Sequence, residues 1–164
     1  VKRENKKILA ELTGYANAND AHHQTASSPD GTGPFLAMSN ALQSANLNPD
    51  DISYINVHGT GTSNNDLTEG IALKRLFENN IPKFSSTKTY TGHTLAAAGA
   101  VEAVFSILSI QNNIIFPNLR FENAIEETGL IPVREVEKDI DIKHILSNSF
   151  GFGGNGTSII LSKV

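Results

Sequence analysis

A cation and an imidazole stand five residues apart in Lys88-Thr-Tyr-Thr-Gly-His93, just ahead of a run of small apolar residues. A second imidazole, His58, stands thirty-five residues before His93 in Val57-His-Gly-Thr-Gly-Thr62, directly after an apolar, strand-like run. Two histidines beside glycine and a lysine, all at the ends of strands, suit a site prepared for negative charge developing on a carbonyl oxygen. Taken singly, each histidine is as readily structural or exposed. A metal fits poorly, because no third ligand stands at an expected spacing. Glu102 is an ionisable group inside a nearly all-apolar helical run, so it must find a partner, change its protonation or face a wet seam. A Lys88–Glu102 ion pair with Asp66 nearby would hold the lysine and orient His93.

The elements that must position these groups follow from periodicity. Residues 7–16 alternate as a strand, and a polar stretch with Gly, Ser and Pro follows at 17–33. Pro34 suits a first helical turn, and Ala37, Met38, Ala41, Leu42 and Ala45 recur at helical spacing over 34–46. Asn48–Asp51 is a turn, residues 52–57 form a strand that delivers His58, residues 65–79 a helix, and residues 83–87 a short strand. From Thr94 to Ile110 small and apolar residues surround a helix that should be buried on most sides. Pro117 and the polar 120–129 stretch make a connection. Residues 142–150 and 157–161 are strands joined by Gly-Phe-Gly-Gly-Asn-Gly. Alternating strands and helices define an α/β layered domain.

At 164 residues, 39% apolar and 18% charged, the chain has the composition of one soluble globular domain with a sizeable core. A formal charge of −4 gives no basic face for nucleic acid. The 94–110 segment is too short for a membrane span and carries Glu102, and no signal-peptide pattern opens the chain, so a cytoplasmic location is expected. Zero cysteines exclude disulfides and thiolate metal sites.

Three motifs carry a resemblance. His-Gly-Thr-Gly-Thr at 58–62, Lys-Thr-Tyr-Thr-Gly-His at 88–93 and Asn-Ser-Phe-Gly-Phe-Gly-Gly-Asn at 148–155 resemble, in order and spacing, the C-terminal half of β-ketoacyl-acyl-carrier-protein synthases. Those are thiolase-fold condensing enzymes of fatty-acid and polyketide synthesis, and the resemblance spans essentially the whole chain. It implies a layered thiolase-like half-domain, a mixed sheet with helices on both faces. It implies that His58 and His93 bracket the thioester carbonyl of a malonyl unit and stabilise the enolate formed on loss of carbon dioxide. Lys88 joins them, and Asp66 and Glu102 match the family's supporting acids.

Thr60 and Thr62 resemble the threonines that hydrogen-bond the phosphopantetheine arm, with Thr25 a third candidate; threonines in loops also make local turns. Phe152, with Phe150, Gly151 and Gly153, matches the loop that guards the acyl pocket, and its backbone N–H would help form an oxyanion hole. The competing reading of Phe152 is a hydrophobic plug anchoring a β-hairpin. The glycine loop at 151–156 is not a phosphate cradle, since no Gly-Lys-Ser/Thr follows. His22, His23 and His144 carry no role, although His23 falls in a family loop that can touch substrate.

The family's chemistry needs a thiol nucleophile. This chain has none, and it begins at Val1 without Met, so it is expected to be a C-terminal half whose cysteine lies in a missing N-terminal half. The resemblance further implies acyl carrier protein as partner, a homodimeric whole enzyme, and no cofactor beyond the phosphopantetheine on the carrier. Two alternatives stay open: a chain-length-factor-type partner that does not condense, and a stand-alone acyl-pantetheine binding domain.

Overall fold

The five strands marked by the sequence pattern form one mixed sheet in the computed structural model, which describes residues 4–164. In chain order the elements are β1 (Glu11–Asn19), α1 (Thr32–Ala45), β2 (Tyr54–Asn56), α2 (Ser63–Phe77), β3 (Lys83–Ser85), α3 (Lys88–Thr91), α4 (Ala98–Asn112), β4 (His144–Phe150) and β5 (Asn155–Ser162). The strands lie in the order β1-β5-β4-β2-β3. β2 runs parallel to both β3 and β4, and β5 runs antiparallel to β4 and β1. The C-terminal ends of three parallel strands therefore open on one edge of the sheet, where α/β proteins place their ligands.

Strand alternation divides the apolar residues between two cores. Ile55, Leu146 and Ile160 face one side and pack with Met38 and Leu42 of α1 and Leu73 and Phe77 of α2. Their neighbours Tyr54, Ile145 and Leu161 face the other side and pack with Ile110 of α4, Ile115 and Ile142. Helices thus cover both faces, as the resemblance implies.

Several boundaries differ from the sequence reading. β1 continues through the polar 17–19 stretch, because an edge strand facing water accepts such residues: Asn17 takes the Thr157 hydroxyl at 2.7 Å, and Asn19 reaches Asn155 at 3.0 Å. Ser86 and Thr87 leave the sheet, and Lys88 opens α3, a single turn that periodicity cannot reveal.

The largest correction concerns α4. Its buried residues are Ala98, Glu102, Ser106, Ser109 and Ile110, whereas Val104 and Leu108 are exposed, as is Leu95 in the 3-10 turn (Leu95–Ala97) ahead of it. The helix is not buried on most sides; it turns a polar stripe inward and an apolar one outward. On the inward stripe Ser106 Oγ donates to the Glu102 carbonyl at 2.8 Å, whereas the buried Ser109 Oγ has no hydrogen-bond partner among the described residues. By length and composition alone Leu95–Asn112 could cross a membrane, contrary to the sequence reading, but here it packs on the sheet through that polar stripe.

β1 and α1 touch at Gly14, where an added Cβ would stand 2.6 Å from the Ala41 carbonyl oxygen and 2.7 Å from the Ala45 Cβ. Neither the strand nor the helix backbone can yield there. Gly14→Ala is expected to lower stability by about 1–3 kcal/mol, as overpacking does; a denaturant midpoint equal to wild type would contradict this contact.

Candidate active site

Two residues past the end of β2, His58 arrives at the open edge of the sheet with only 4% of its surface exposed. Lys88, at the start of α3, meets it there. The lysine Nζ donates to the His58 carbonyl oxygen at 2.6 Å, stands 3.1 Å from His58 Nδ1, and forms a buried ion pair with Glu102 of α4. An ammonium has no acceptor, so Nδ1 must accept and the ring proton resides on Nε2. His93 reaches the same tautomer by another route: the Leu95 backbone N–H donates to His93 Nδ1 at 3.1 Å. Leu95 adopts φ +54°, a left-handed conformation costing an L-residue about 1–2 kcal/mol. Strain of this kind persists only where the surroundings hold it.

The two imidazole rings lie 5.3 Å apart, nearly perpendicular, and the Phe150 ring stands edge-on 5.6 Å from His58. His93 is exposed and His58 is not. Each ring is left with Nε2–H to offer a ligand, and Lys88 stands against the Nδ1 side of His58. Burial, then the Lys88 charge, then His93, push the His58 pKa down to about 3. Burial raises the Glu102 carboxyl, opposed by Lys88 and by the Ser149 hydroxyl, which donates to it at 3.0 Å.

Lys88 therefore supports His58, not His93 as the sequence reading expects. Asp66 stands apart from the lysine's hydrogen bonds; its carboxylate receives the Gly61 N–H at 3.3 Å and the Asn65 amide at 3.0 Å. Thr60 and Thr62 share a hydroxyl–hydroxyl bond of 2.8 Å in the same turn. Thr25 is exposed, with its backbone N–H donating to His23 Nδ1 at 3.2 Å. His22 is also exposed, and His144 lies at the opposite end of β4, bonded to Ser162 Oγ at 2.8 Å.

The loop after β4 is fastened to the 19–24 segment. Gly153 N–H donates to the Gln24 carbonyl at 2.7 Å, Asn19 Nδ2 to the Gly153 carbonyl at 2.7 Å, and Asp20 N–H to the Gly154 carbonyl at 3.2 Å. Gly151 and Gly153 are exposed with it, and the Phe152 ring is 79% exposed. In this chain the buried ring at the hairpin is Phe150, so Phe152 is not a plug.

Glu69 is the residue the sequence reading missed. It lies on α2 in register with Leu73 and Phe77, an acid on an apolar stripe, and that register was the available signal. Its carboxylate accepts the backbone N–H of His58 and of Gly59, each at 2.9 Å, and the Asn148 amide at 3.0 Å. Burial raises its pKa to about 7 against the pull of those donors. A cavity of about 390 Å³ lies behind the His58 loop, bounded by Glu69, Lys88, Asp66, Arg120 and Leu130; neither histidine lines it. Among the described residues no cluster of three or more His, Asp or Glu could hold a metal ion.

The chain and its fold match a known class. Residues 9–122 match the family described as beta-ketoacyl synthase, C-terminal domain, and the chain belongs to that family. It is 40% identical over 165 residues to 3-oxoacyl-[acyl-carrier-protein] synthase 2 of Coxiella burnetii, covering 99% of this chain and 40% of that protein. It is 45% identical over 159 residues to the Rhizobium meliloti enzyme of the same name, covering 96% and 38%. Among solved structures, a ketosynthase in complex with its type II polyketide acyl-carrier protein superposes with TM-score 0.94 at 32% identity, covering 99% of this chain and 40% of that one. A ketosynthase in complex with its chain length factor, from Xenorhabdus doucetiae, gives 0.82 at 35%, covering 97% and 40%. The fold is thus thiolase-like, and the chain spans about two fifths of the length of these relatives.

The two shifted pKa values oppose each other in stability. His58, depressed from 6.5 to about 3, contributes stability that is present above pH 6.5 and lost as pH falls toward 3. Glu69, raised from 4.5 to about 7, contributes stability present below pH 4.5 and lost as pH rises through 7. Between pH 4.5 and 6.5 the two slopes offset. His58→Gln should expose the Glu69 slope, so that the variant loses stability relative to wild type as pH rises from 4.5 to 6.5. A difference in unfolding free energy that stays flat over that window would contradict the assignment.

Proposed function

We propose that this chain is the C-terminal half of a 3-oxoacyl-[acyl-carrier-protein] synthase, which condenses an acyl thioester with malonyl-acyl-carrier protein as carbon dioxide leaves. The observation that carries the reading is the convergence of His58 and His93 with both Nδ1 atoms already occupied by donors. Each ring has only Nε2–H left to offer, and the two would donate to the malonyl thioester oxygen as it becomes an enolate. The carbanion carbon then attacks the acyl group carried on a cysteine of the other half, expelling the thiolate. Lys88 acts through His58, and Glu102 supplies its buried ion-pair partner.

Thr60 and Thr62 would meet the phosphopantetheine arm, which belongs to the carrier, with Thr25 a third candidate. The partners are acyl carrier protein and the N-terminal half, in a homodimer acting in the cytoplasm, and no metal or bound cofactor takes part. The outward apolar stripe of α4 is the surface the N-terminal half would cover. Both histidines and the lysine in working order favour a condensing subunit over a chain-length-factor-type partner, and a stand-alone binding module has no use for an ordered donor pair.

In the whole enzyme His58→Ala or His93→Ala should lower malonyl decarboxylation about 100- to 1000-fold, the usual effect of losing one such donor, while cysteine acylation survives. Near-normal carbon dioxide release, followed with labelled malonyl-carrier protein, would refute the role. The 164-residue chain alone should give no 3-ketoacyl product, having no thiol to load.

Phe152, exposed on a glycine-flanked turn, serves as the gate to the acyl pocket. Phe152→Ala in the whole enzyme should keep its melting temperature within a few degrees and release carbon dioxide without prior acylation. An unchanged order of substrate use would remove the gate.

A further inference from the structure

Asn56 closes β2, wholly buried, two residues ahead of His58. Its main chain is engaged in the sheet, opposite Ser85 of β3 and Ser147 of β4. Its side chain continues the Tyr54 side of the strand, toward α4. There Nδ2 donates to the Glu102 carbonyl at 3.3 Å and to Thr87 Oγ1 at 3.2 Å. Oδ1 accepts the Thr87 N–H at 3.4 Å and the Thr87 hydroxyl at 3.3 Å. These partners fix the orientation of the amide, since a carbonyl on one side demands the NH₂ and an N–H on the other demands the oxygen. Aspartate would turn an oxygen toward the Glu102 carbonyl, and leucine of similar size would leave every partner bare.

Each segment that this amide joins carries one member of the Lys88 network. His58 follows Asn56 by two residues, Lys88 follows Thr87 directly, and Glu102 is the lysine's ion-pair partner. One buried side chain therefore sets the spacing of the backbone segments from which the imidazole, the ammonium and the carboxylate project. The bonds of Lys88 do not set that spacing, because its Nζ ends a flexible four-carbon stem and follows its acceptors wherever they stand.

We infer that Asn56 is a positioning residue for the decarboxylation step: by tying the Thr87 turn and the middle of α4 to the end of β2, it aligns Lys88 with His58 Nδ1 and so keeps the ring proton on Nε2. This rests on the function proposed above. A merely structural amide would, on removal, lower stability and every partial reaction together. A positioning amide would, on removal, release the His58 tautomer and lower the one step that depends on Nε2–H.

The test uses the whole enzyme containing this chain. Asn56→Ala should reduce kcat for malonyl-carrier protein decarboxylation by about 10- to 100-fold, the scale at which small misplacements act. KM for malonyl-carrier protein and the rate of cysteine acylation should stay near wild type, the pattern of an interaction felt only in the transition state. Nitrogen-15 NMR of histidine-labelled enzyme reads the tautomer, with the His58 signals assigned by their loss in His58→Ala. Wild type should carry the proton on Nε2, and Asn56→Ala should show a mixture of the two tautomers. If Asn56→Ala does not fold, Thr87→Val, which keeps the backbone N–H for Asn56 Oδ1 and removes the hydroxyl, should show both effects to a smaller extent. Thr87→Ser, which keeps the hydroxyl, should recover most of that loss. Unchanged kcat, equal losses of decarboxylation and acylation, or an unchanged His58 tautomer would overturn the assignment. Should the wild-type enzyme release no carbon dioxide, the proposed function fails on its own account. The tautomer then decides: a mixture in the variant upholds the alignment, and a single Nε2–H form overturns it.

Discussion

The buried ammonium of Lys88 is the group on which the rest of this edge depends. It lies between α3 and α4, and its three bonds reach a carboxylate, a carbonyl and an imidazole. Burying such a cation is tolerable only with full pairing. Glu102 supplies the opposite charge from the middle of α4, and Ser149 of β4 takes that carboxylate's other oxygen. Removing either partner of a buried pair typically costs about 3–5 kcal/mol, since the survivor keeps its desolvation penalty. The pair therefore docks α4 against the sheet and fixes the His58 ring with the same bonds.

That docking explains the inverted character of α4. Asn56 at the end of β2 donates to the Glu102 carbonyl at 3.3 Å and to Thr87 Oγ1 at 3.2 Å, so polar groups line the helix–sheet seam near the site. Further along, the seam becomes apolar around Ile110, Tyr54 and Ile145. A helix so committed on its inner face leaves its aliphatic residues for the outside. There Phe105 stacks among Tyr90 and Phe116, with ring centroids 5.1 to 6.1 Å apart. His93 is exposed and precedes that helix by a few residues.

The sequence discloses the strands and the longer helices because their periods are clean, and it discloses the histidines and the lysine because they sit in compact motifs beside glycine. The inner face of α4 is not legible from periodicity. Small and apolar residues on all sides leave the orientation open, and tertiary pairing of one glutamate decides it. The partner of Lys88 is legible as a charge that needs company, while the choice of His58 over His93 depends on where α3 begins. Glu69 escapes notice because two of its three donors are backbone groups, which no residue type announces. What marks it is its register with Leu73 and Phe77 on α2.

His58 and His93 reach one tautomer by unlike means, and the difference follows from their depth. At His58 the surroundings are dry, so a charged donor on Nδ1 is effective at short range and holds the ring neutral with its proton on Nε2. At His93 the ring is open to water, where a point charge would be screened and a lysine free to rotate. A backbone amide cannot rotate away, and the chain supplies one by holding Leu95 in a left-handed conformation directly after the turn. The deep imidazole is thus ordered by electrostatics and the outer one by backbone strain. Both leave Nε2–H as the polar group of the ring that no hydrogen bond among the described residues engages.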